Sequence, residues 1–77
     1  MPHYFFDTGD GDLDRDGEGI DLEDDGAARI AAVRYLGAVL SDAPGELTRN
    51  GIFRVSVRSA DGEIIVALVA RDISRGG

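Results

Sequence analysis

The residues whose types and spacing best fit a chemical role lie in an acidic stretch near the start of the chain. Asp12, Asp14 and Asp16 alternate with other residues, Gly17 follows them, and Glu23 occupies the twelfth position of the pattern. Calcium loops share this spacing, D-x-D-x-D-G-x5-E, in which alternate carboxylates surround the cation and the last glutamate supplies two oxygens. It predicts a weak calcium site at Asp12, Asp14, Asp16 and Glu23, with a dissociation constant on the order of 10⁻⁴ to 10⁻³ M for an unpaired loop.

The surroundings of this motif favour a different interpretation, in which the stretch is a solvated acidic loop. A strand is predicted before the loop, whereas an EF-hand begins with a helix. The eighth position of the pattern, normally a branched apolar residue, is Gly19. On this interpretation the carboxylates repel one another, hold the loop open and bind no cofactor.

No other set of residues in the sequence supports catalysis. The chain has one histidine, His3, and no cysteine, which excludes thiol chemistry, disulfides and cysteine–zinc sites. Its serines, at positions 41, 56, 59 and 74, have no histidine at a spacing typical of a catalytic triad. Carboxylates in a flexible loop lack the rigid cleft that acid–base catalysis needs. We therefore expect a protein that is not an enzyme.

Charge is distributed unevenly along the chain. Residues 7–25 hold ten carboxylates and one cation, Arg15, and the whole chain carries a net charge of −7. Such an acidic front repels nucleic-acid phosphates and anionic lipids, so neither is expected as a partner, whereas a basic protein could bind there. No run approaches the ~20 apolar residues of a membrane span, and no secretion signal is evident. These features predict a cytoplasmic protein.

One helix, predicted over residues 24–42, organises the rest of the chain. Asp24 and Asp25 are natural N-caps, and Pro44 with Gly45 ends the helix. At about 100° per residue its apolar side chains form two stripes. The first stripe comprises Ala28, Ala31, Ala32, Tyr35 and Val39, and the second, nearly opposite, comprises Ile30, Val33, Gly37 and Leu40.

A helix that is apolar on two sides is usually covered on both sides. In a chain of 77 residues the simplest second cover is another copy of the protein. The second stripe therefore predicts a homodimer whose interface is formed by Ile30, Val33, Gly37 and Leu40. The alternative is that these residues are scattered surface hydrophobes, which are common on any protein.

Strands are predicted on both sides of the helix, over residues 1–7 and 19–22 before it and over residues 52–70 after a connection around 44–51. Asp61 and Gly62 predict a two-residue type I′ turn within the last segment. That turn sets the cross-strand pairs, which are Val57 with Val66, Val55 with Leu68 and Phe53 with Ala70 on the face towards the helix, and Arg54 with Val69, Ser56 with Ala67 and Arg58 with Ile65 on the other.

The order β-β-α-β-β predicts an α+β fold in which one helix packs on one face of a small, mostly antiparallel sheet. The outer face of that sheet is half apolar and offers a second candidate contact surface. We expect a single domain over residues 1–72, followed by a flexible tail over 73–77.

The opening M-P-H-Y-F-F-D and the later E-G-I-D-L-E-D-D-G-A-A resemble a small, mainly alphaproteobacterial family of domains of unknown function. Its members typically open M-P-x-Y-F-F and carry E-G-x-E-L-P-D-x-x-A-A. Glu18, Gly19, Leu22 and the alanine pair at 27–28 match this pattern, while Glu23 stands where the family usually has proline. The resemblance implies a similar architecture and transfers no activity.

Together these observations predict a small, acidic, bacterial interaction or structural domain that self-associates in the cytoplasm and is not an enzyme. Two alternatives stay open. The acidic loop could bind calcium weakly, or the acidic front could mimic a polyanion and so regulate a basic partner protein.

Overall fold

The computed structural model describes residues 1–9 and 14–75. Within them the elements follow the order β1 (His3–Gly9), β2 (Ile20–Asp21), α1 (Asp25–Asp42), α2 (Pro44–Asn50), β3 (Ile52–Ser59), β4 (Ile64–Arg71) and a short 3-10 turn at Ile73–Arg75. The four strands form one antiparallel sheet in the order β2-β1-β3-β4. The α+β fold predicted from the sequence, with two strands on each side of the main helix, is confirmed.

Helix α1 begins and ends where the sequence predicts. The carboxylate of Asp24 accepts the N–H of Ala27 at 2.8 Å and so satisfies one of the free donors of the first turn. At the other end Ala43 leaves helical geometry, and its N–H still bonds to the carbonyl of Val39. Pro44 follows directly and prevents the helix from continuing.

The core lies between α1 and the inner face of the sheet. Ala28 and Ala32 are fully buried, and their small side chains let the helix backbone lie close to the strands. The buried residues that form this core are Tyr4, Ala28, Ala32, Phe53, Val55 and Val57, with Phe6, Leu22, Leu36, Val39, Ile65, Val66 and Leu68 packed around them. The first predicted stripe of the helix therefore faces the sheet, as its small residues indicate.

Tyr35 is the exception within that stripe, because it does not pack into the inner face as predicted. Its side chain is 43% exposed, and Leu36 takes a place against the core instead. Tyr35 lies on the flank of α1 that faces β2, where it helps to line an open apolar groove of about 240 Å³ with Phe6, Ile20, Leu22 and Ala31. A bulky aromatic ring is accommodated at this margin more easily than between closely packed layers.

The connection predicted around residues 44–51 contains a second helix that the sequence analysis did not assign, since Pro44–Asn50 form helix α2. Pro44 stops α1 but starts α2, because the first turn of a helix does not need the N–H that proline lacks. Gly51 ends α2 with φ of +80°, and its N–H bonds to the carbonyl of Leu47. The same residue then accepts the N–H of Asp72, which ties the start of β3 to the end of β4.

The β3–β4 hairpin has the predicted inner register but a different turn. Val57 pairs with Val66, Val55 with Leu68 and Phe53 with Ala70, as predicted. The two-residue type I′ turn is wrong, because it requires positive φ at Asp61, and only Gly62 has it, at +92°. The N–H of Gly62 bonds to the carbonyl of Ser59, and the N–H of Ser59 bonds to the carbonyl of Glu63, which leaves a three-residue loop.

A three-residue loop moves the pairing at its base by one residue relative to a two-residue turn. Arg58 accordingly lies opposite Ile64, not opposite Ile65 as predicted. An irregularity in the ladder between Val57 and Arg58 then absorbs the extra residue, as a β-bulge does, and restores the predicted pairs beyond it.

Within residues 1–9 and 14–75, no helix combines the length and the apolar character needed to span a membrane.

Candidate functional site

Three charged residues on the outer face of the sheet form a connected group, here called the Arg58 network and composed of Asp7, Asp16 and Arg58. The guanidinium Nε of Arg58 donates to the Asp7 carboxylate at 2.8 Å, and its Nη2 donates to the backbone carbonyl of Asp16 at 3.0 Å. Arg58 also lies over the ring of Phe5, its strand partner, at 4.4 Å from the centroid. Asp7 is only 4% exposed, so this ion pair is largely removed from water.

Asp16 connects the network to the edge of β1. Its carboxylate accepts the N–H of Phe6 at 3.1 Å and the N–H groups of Glu18 and Gly19 at 3.0 Å each. Its own N–H donates to Asp7 at 2.9 Å. The short β2 pairs only with His3 and Tyr4, so Asp16 bonds the β1 edge where β2 has not reached.

The hydrogen bonds that Asp16 accepts favour its ionised form. The backbone N–H groups of Gly19, Phe6 and Glu18 lower the pKa of the Asp16 carboxyl, with a smaller contribution from the charge of Arg58. The described end of the acidic loop, residues 14–19, is therefore docked on the sheet by Asp16. At these two carboxylates repulsion is offset, because Asp7 faces Arg58 and Asp16 faces backbone donors.

His3, at the start of β1, also binds the loop through its side chain. Its Nδ1 lies 2.6 Å from the Asp21 carboxylate and its Nε2 lies 2.7 Å from the carbonyl of Glu18. The Asp21 carboxylate and the Glu18 carbonyl both raise the pKa of His3 above its ordinary value of 6.5, because both favour a ring that carries two protons. The ring also meets Phe5 edge-on, with 5.1 Å between centroids.

Tyr4 performs a related role on the inner face, between β1 and α1. Its hydroxyl donates to the Asp25 carboxylate at 2.6 Å. That bond, together with burial, raises the pKa of Tyr4 to about 12, so the group is a neutral donor at physiological pH. The start of α1 is thereby fixed over β1.

The Arg58 network and its neighbours act chemically as a cross-link between the acidic loop and the sheet. In the described part of the chain every buried side-chain nitrogen and oxygen has a hydrogen-bond partner. The carboxylates of Asp7 and Asp16 are bonded to Arg58 and to backbone donors. Buried charges that stabilise a fold are typically hydrogen-bonded in this way.

The predicted calcium ligands that lie within the described residues do not converge on one point. Asp12 lies outside the described residues. Asp14 is exposed and its backbone bridges to Thr8, Asp16 bonds the β1 edge, and Glu23 is exposed just before α1. Among the described residues no three or more His, Asp or Glu side chains are gathered as a group that could hold a metal. Calcium binding stays a prediction, and at Asp16 the ion would compete with three backbone N–H groups.

The second predicted stripe of α1, here called the outer stripe and composed of Ile30, Val33, Gly37 and Leu40, is largely open. Ile30 is 56% exposed, Val33 is 59% exposed, Gly37 is exposed and Leu40 is half-buried. Ile30 lines a surface depression with Leu22, Ala27, Ala31, Arg34 and Tyr35, on the flank facing β2. Val33 and Leu40 lie on the other flank, because the helical period places them round the far side from Ala31.

A further apolar surface lies on β4. This strand is the outermost of the sheet, and residues 64–70 contain no charged side chain. Ile64 is 55% exposed and Val69 is 58% exposed. The half-apolar outer face is evident from the sequence, whereas the edge position of β4 depends on the order of strands in the sheet.

The Arg58 network was missed in the sequence. The available signal was the alternation of β1, which places Phe5 and Asp7 on one face, together with Arg58 on a polar position of β3. These positions can be connected only when β1 is known to pair with β3.

Comparison with known proteins identifies a family. The family model described as "Domain of unknown function (DUF6894)" matches residues 3–71, and the chain belongs to this family. The predicted membership of a family of unknown function is confirmed. Neither the comparison with curated proteins nor the comparison with solved structures gives a significant match.

The turn between the loop and β2 provides a first test. Gly19 has φ of +72°, and a Cβ there would lie 2.6 Å from the carbonyl oxygen of Tyr4 and 2.5 Å from Nε2 of His3. We expect Gly19→Ala to lower the free energy of unfolding by about 1–2 kcal/mol, measured by urea denaturation, because the left-handed conformation disfavours a side chain. Gly17→Ala is the control, since no atom lies within 4 Å of its added Cβ. Equal losses in both variants would contradict the docked loop.

The Arg58 network provides a second test. Arg58→Leu leaves Asp7 buried without its cation and is expected to lower the free energy of unfolding by about 3 kcal/mol. Arg54→Leu, on the exposed outer face of the same strand, should change it by no more than about 0.5 kcal/mol. The double variant Asp7→Leu/Arg58→Leu should recover part of the loss, because no uncompensated buried charge is left. A double variant less stable than Arg58→Leu would contradict the explanation that the loss comes from an uncompensated charge on buried Asp7.

The pH dependence of His3 provides a third test. Because the folded protein raises the pKa of His3, the stabilisation from its protonated ring is fully present below pH 6.5 and is lost as pH rises through the raised pKa. An NMR titration of the ring should give a pKa above 6.5, and Asp21→Asn should lower it. Glu46→Gln, on α2, should leave it unchanged. A His3 pKa that does not respond to Asp21→Asn would contradict the pairing.

Proposed function

We propose that this DUF6894 domain is a non-enzymatic interaction domain that self-associates through the outer stripe of α1. The observation that carries the proposal is the exposure of Ile30 and Val33, each more than half accessible on a helix whose opposite side packs on the sheet through the fully buried Ala28 and Ala32. Large apolar side chains in adjacent turns of one helix are typical of a contact surface.

The layering of the fold supports this proposal. The sheet covers one side of α1, whereas Ile30, Val33 and Gly37 of the outer stripe are exposed and Leu40 is half-buried. Complete burial of a valine, leucine or isoleucine side chain contributes about 1.5–3 kcal/mol, so covering the outer stripe in a second copy would favour association. A small domain buries little apolar surface in its own core, so covering the outer stripe would add a large fraction to its buried surface.

The polar groups support the non-enzymatic part of the proposal. Asp7, Asp16 and Arg58 bond to one another or to the backbone, and Asp25 accepts from Tyr4. These bonds attach the loop and the helix to the sheet. The buried charges therefore have a structural role, and no catalytic role is needed to explain them. A cytoplasmic setting is proposed with it, on the basis of the acidic, cysteine-free composition.

Light scattering coupled to size-exclusion chromatography tests the proposal. The wild-type mass should rise from the 8.2 kDa of one chain towards twice that value as concentration increases. Val33→Asp should hold the protein at the monomer mass, because a charge in the contact would be desolvated without a partner. Ala38→Asp adds the same charge to an exposed position on the flank facing β2 and should still dimerise. A wild-type chain that stays at 8.2 kDa at every concentration would overturn the proposal.

A further inference from the structure

Strand β4 has a free edge that is unusually apolar. Edge strands are normally shortened, charged or covered, because their unpaired N–H and C=O groups invite another strand. β4 spans eight residues, from Ile64 to Arg71, and no described strand pairs with its outer side. Its residues 64–70 carry neither charge nor proline. The ladder irregularity opposite Val57 and Arg58 affects only the start of β4, so the edge from Val66 to Ala70 is regular and long enough to accept a strand.

The register of the sheet identifies which backbone groups face that edge. The N–H of Phe6 points away from β3, towards Asp16, so the backbone groups of Val57 opposite it point towards β4. Val57 and Val66 are therefore a hydrogen-bonded pair. Since the direction alternates along a strand, the backbone groups of Ala67 and Val69 point outwards to the free edge.

We infer that β4 pairs antiparallel with β4 of a second copy about a two-fold axis at Ala67, joining two sheets into one of eight strands. The inference rests on the proposed self-association and specifies its geometry. Pairing about Ala67 matches outward-pointing groups at its centre, because Ala67 meets its own counterpart and the regular alternation extends from Val66 to Ala70.

The charges at the two ends of β4 favour this direction. The turn before β4 carries Asp61 and Glu63, whereas Arg71 ends the strand. Antiparallel pairing brings Arg71 of each copy to the acidic turn of the other, and parallel pairing would bring like ends together. The Asp72 carboxylate, next in sequence, accepts the N–H of Ser74 within its own chain.

The position of α1 favours the same axis. The helix packs across both β3 and β4. With strands about 4.8 Å apart, a two-fold axis beyond β4 places the two copies of α1 on one face of the joined sheet, roughly 10 Å apart. Packed helices lie about 8–10 Å apart.

The side chains on the facing flanks suit that separation. Ile30 lines the depression on the flank facing β2, so the partner helix would meet Val33, Gly37 and Leu40. A Cβ built on Gly37 finds no atom within 4 Å, so the helix surface is open to close approach there. The free edge and most of the outer stripe are thus covered by one symmetric contact.

A spin label at the axis tests the pairing. The chain has no cysteine, so Ala67→Cys gives a single site for a nitroxide. In the dimer the two Cα atoms at position 67 should lie about 5.5 Å apart, which should strongly broaden the EPR spectrum. Arg54→Cys, on the same face of β3, is the control and should give sharp lines. Circular dichroism of both labelled variants verifies that they fold.

The outcomes separate the inference from the proposed function. A dimer mass with broadened lines at position 67 supports both. A dimer mass with sharp lines at position 67 overturns edge pairing and leaves self-association intact. A monomer mass at all concentrations overturns both.

Charge reversal provides an independent measure of strand direction. Glu63→Arg and Arg71→Glu should each weaken dimerisation about fivefold in analytical ultracentrifugation, since the two-fold axis repeats each contact. The double variant Glu63→Arg/Arg71→Glu should recover wild-type affinity. A double variant that dimerises no better than the single variants would overturn the antiparallel arrangement.

Discussion

Ala28 and Ala32 of α1 are in contact with Tyr4, Val55 and Val57, and no part of these two alanines reaches solvent. Because the alanine side chains are small, the backbone of the helix approaches the sheet closely, and the larger side chains of the strands fill the space around it. The helix as a whole packs over β3 and β4, and Ile30 and Val33 on its opposite side stay exposed. Both the stability of the single chain and the surface available for association depend on it.

The acidic front is compatible with this arrangement because part of its charge is neutralised by structure. Arg58 on β3 pairs with Asp7 on β1, and Asp16 replaces a strand at the β1 edge by accepting backbone N–H groups. The loop is thereby used to complete the sheet where β2 stops. This arrangement requires a buried ion pair, which stabilises the fold only while both partners are present.

The edge of β4 lies on the same side of the fold as the flank of α1 that holds Val33 and Leu40, the part of the outer stripe away from β2. A helix placed over the last two strands necessarily brings one of its flanks close to the free edge. The proposed self-association and the proposed edge pairing are therefore linked by geometry, since a partner strand on β4 would carry its own helix to the same place. This link explains how a domain of 77 residues could enlarge its core by symmetry alone.

The sequence by itself determined the elements whose signals are local. The cap at Asp24, the stop at Pro44, the two stripes of α1 and the inner register of the hairpin all follow from residue types and short-range periodicity. The type of turn at Gly62 is not determined by these local signals. A two-residue turn and a three-residue loop compensated by a bulge give the same inner pairs.

Only the tertiary structure decided the contacts that join distant segments. Arg58 and Asp7 are 51 positions apart, and their pairing depends on the strand order β2-β1-β3-β4. The same order makes β4 an edge strand and lets Asp16 take the place of a partner strand. Local periodicity specifies which face of a strand a residue occupies, but it carries no information about which strand lies beside it, and that neighbour decides whether a charge is paired or an edge is free.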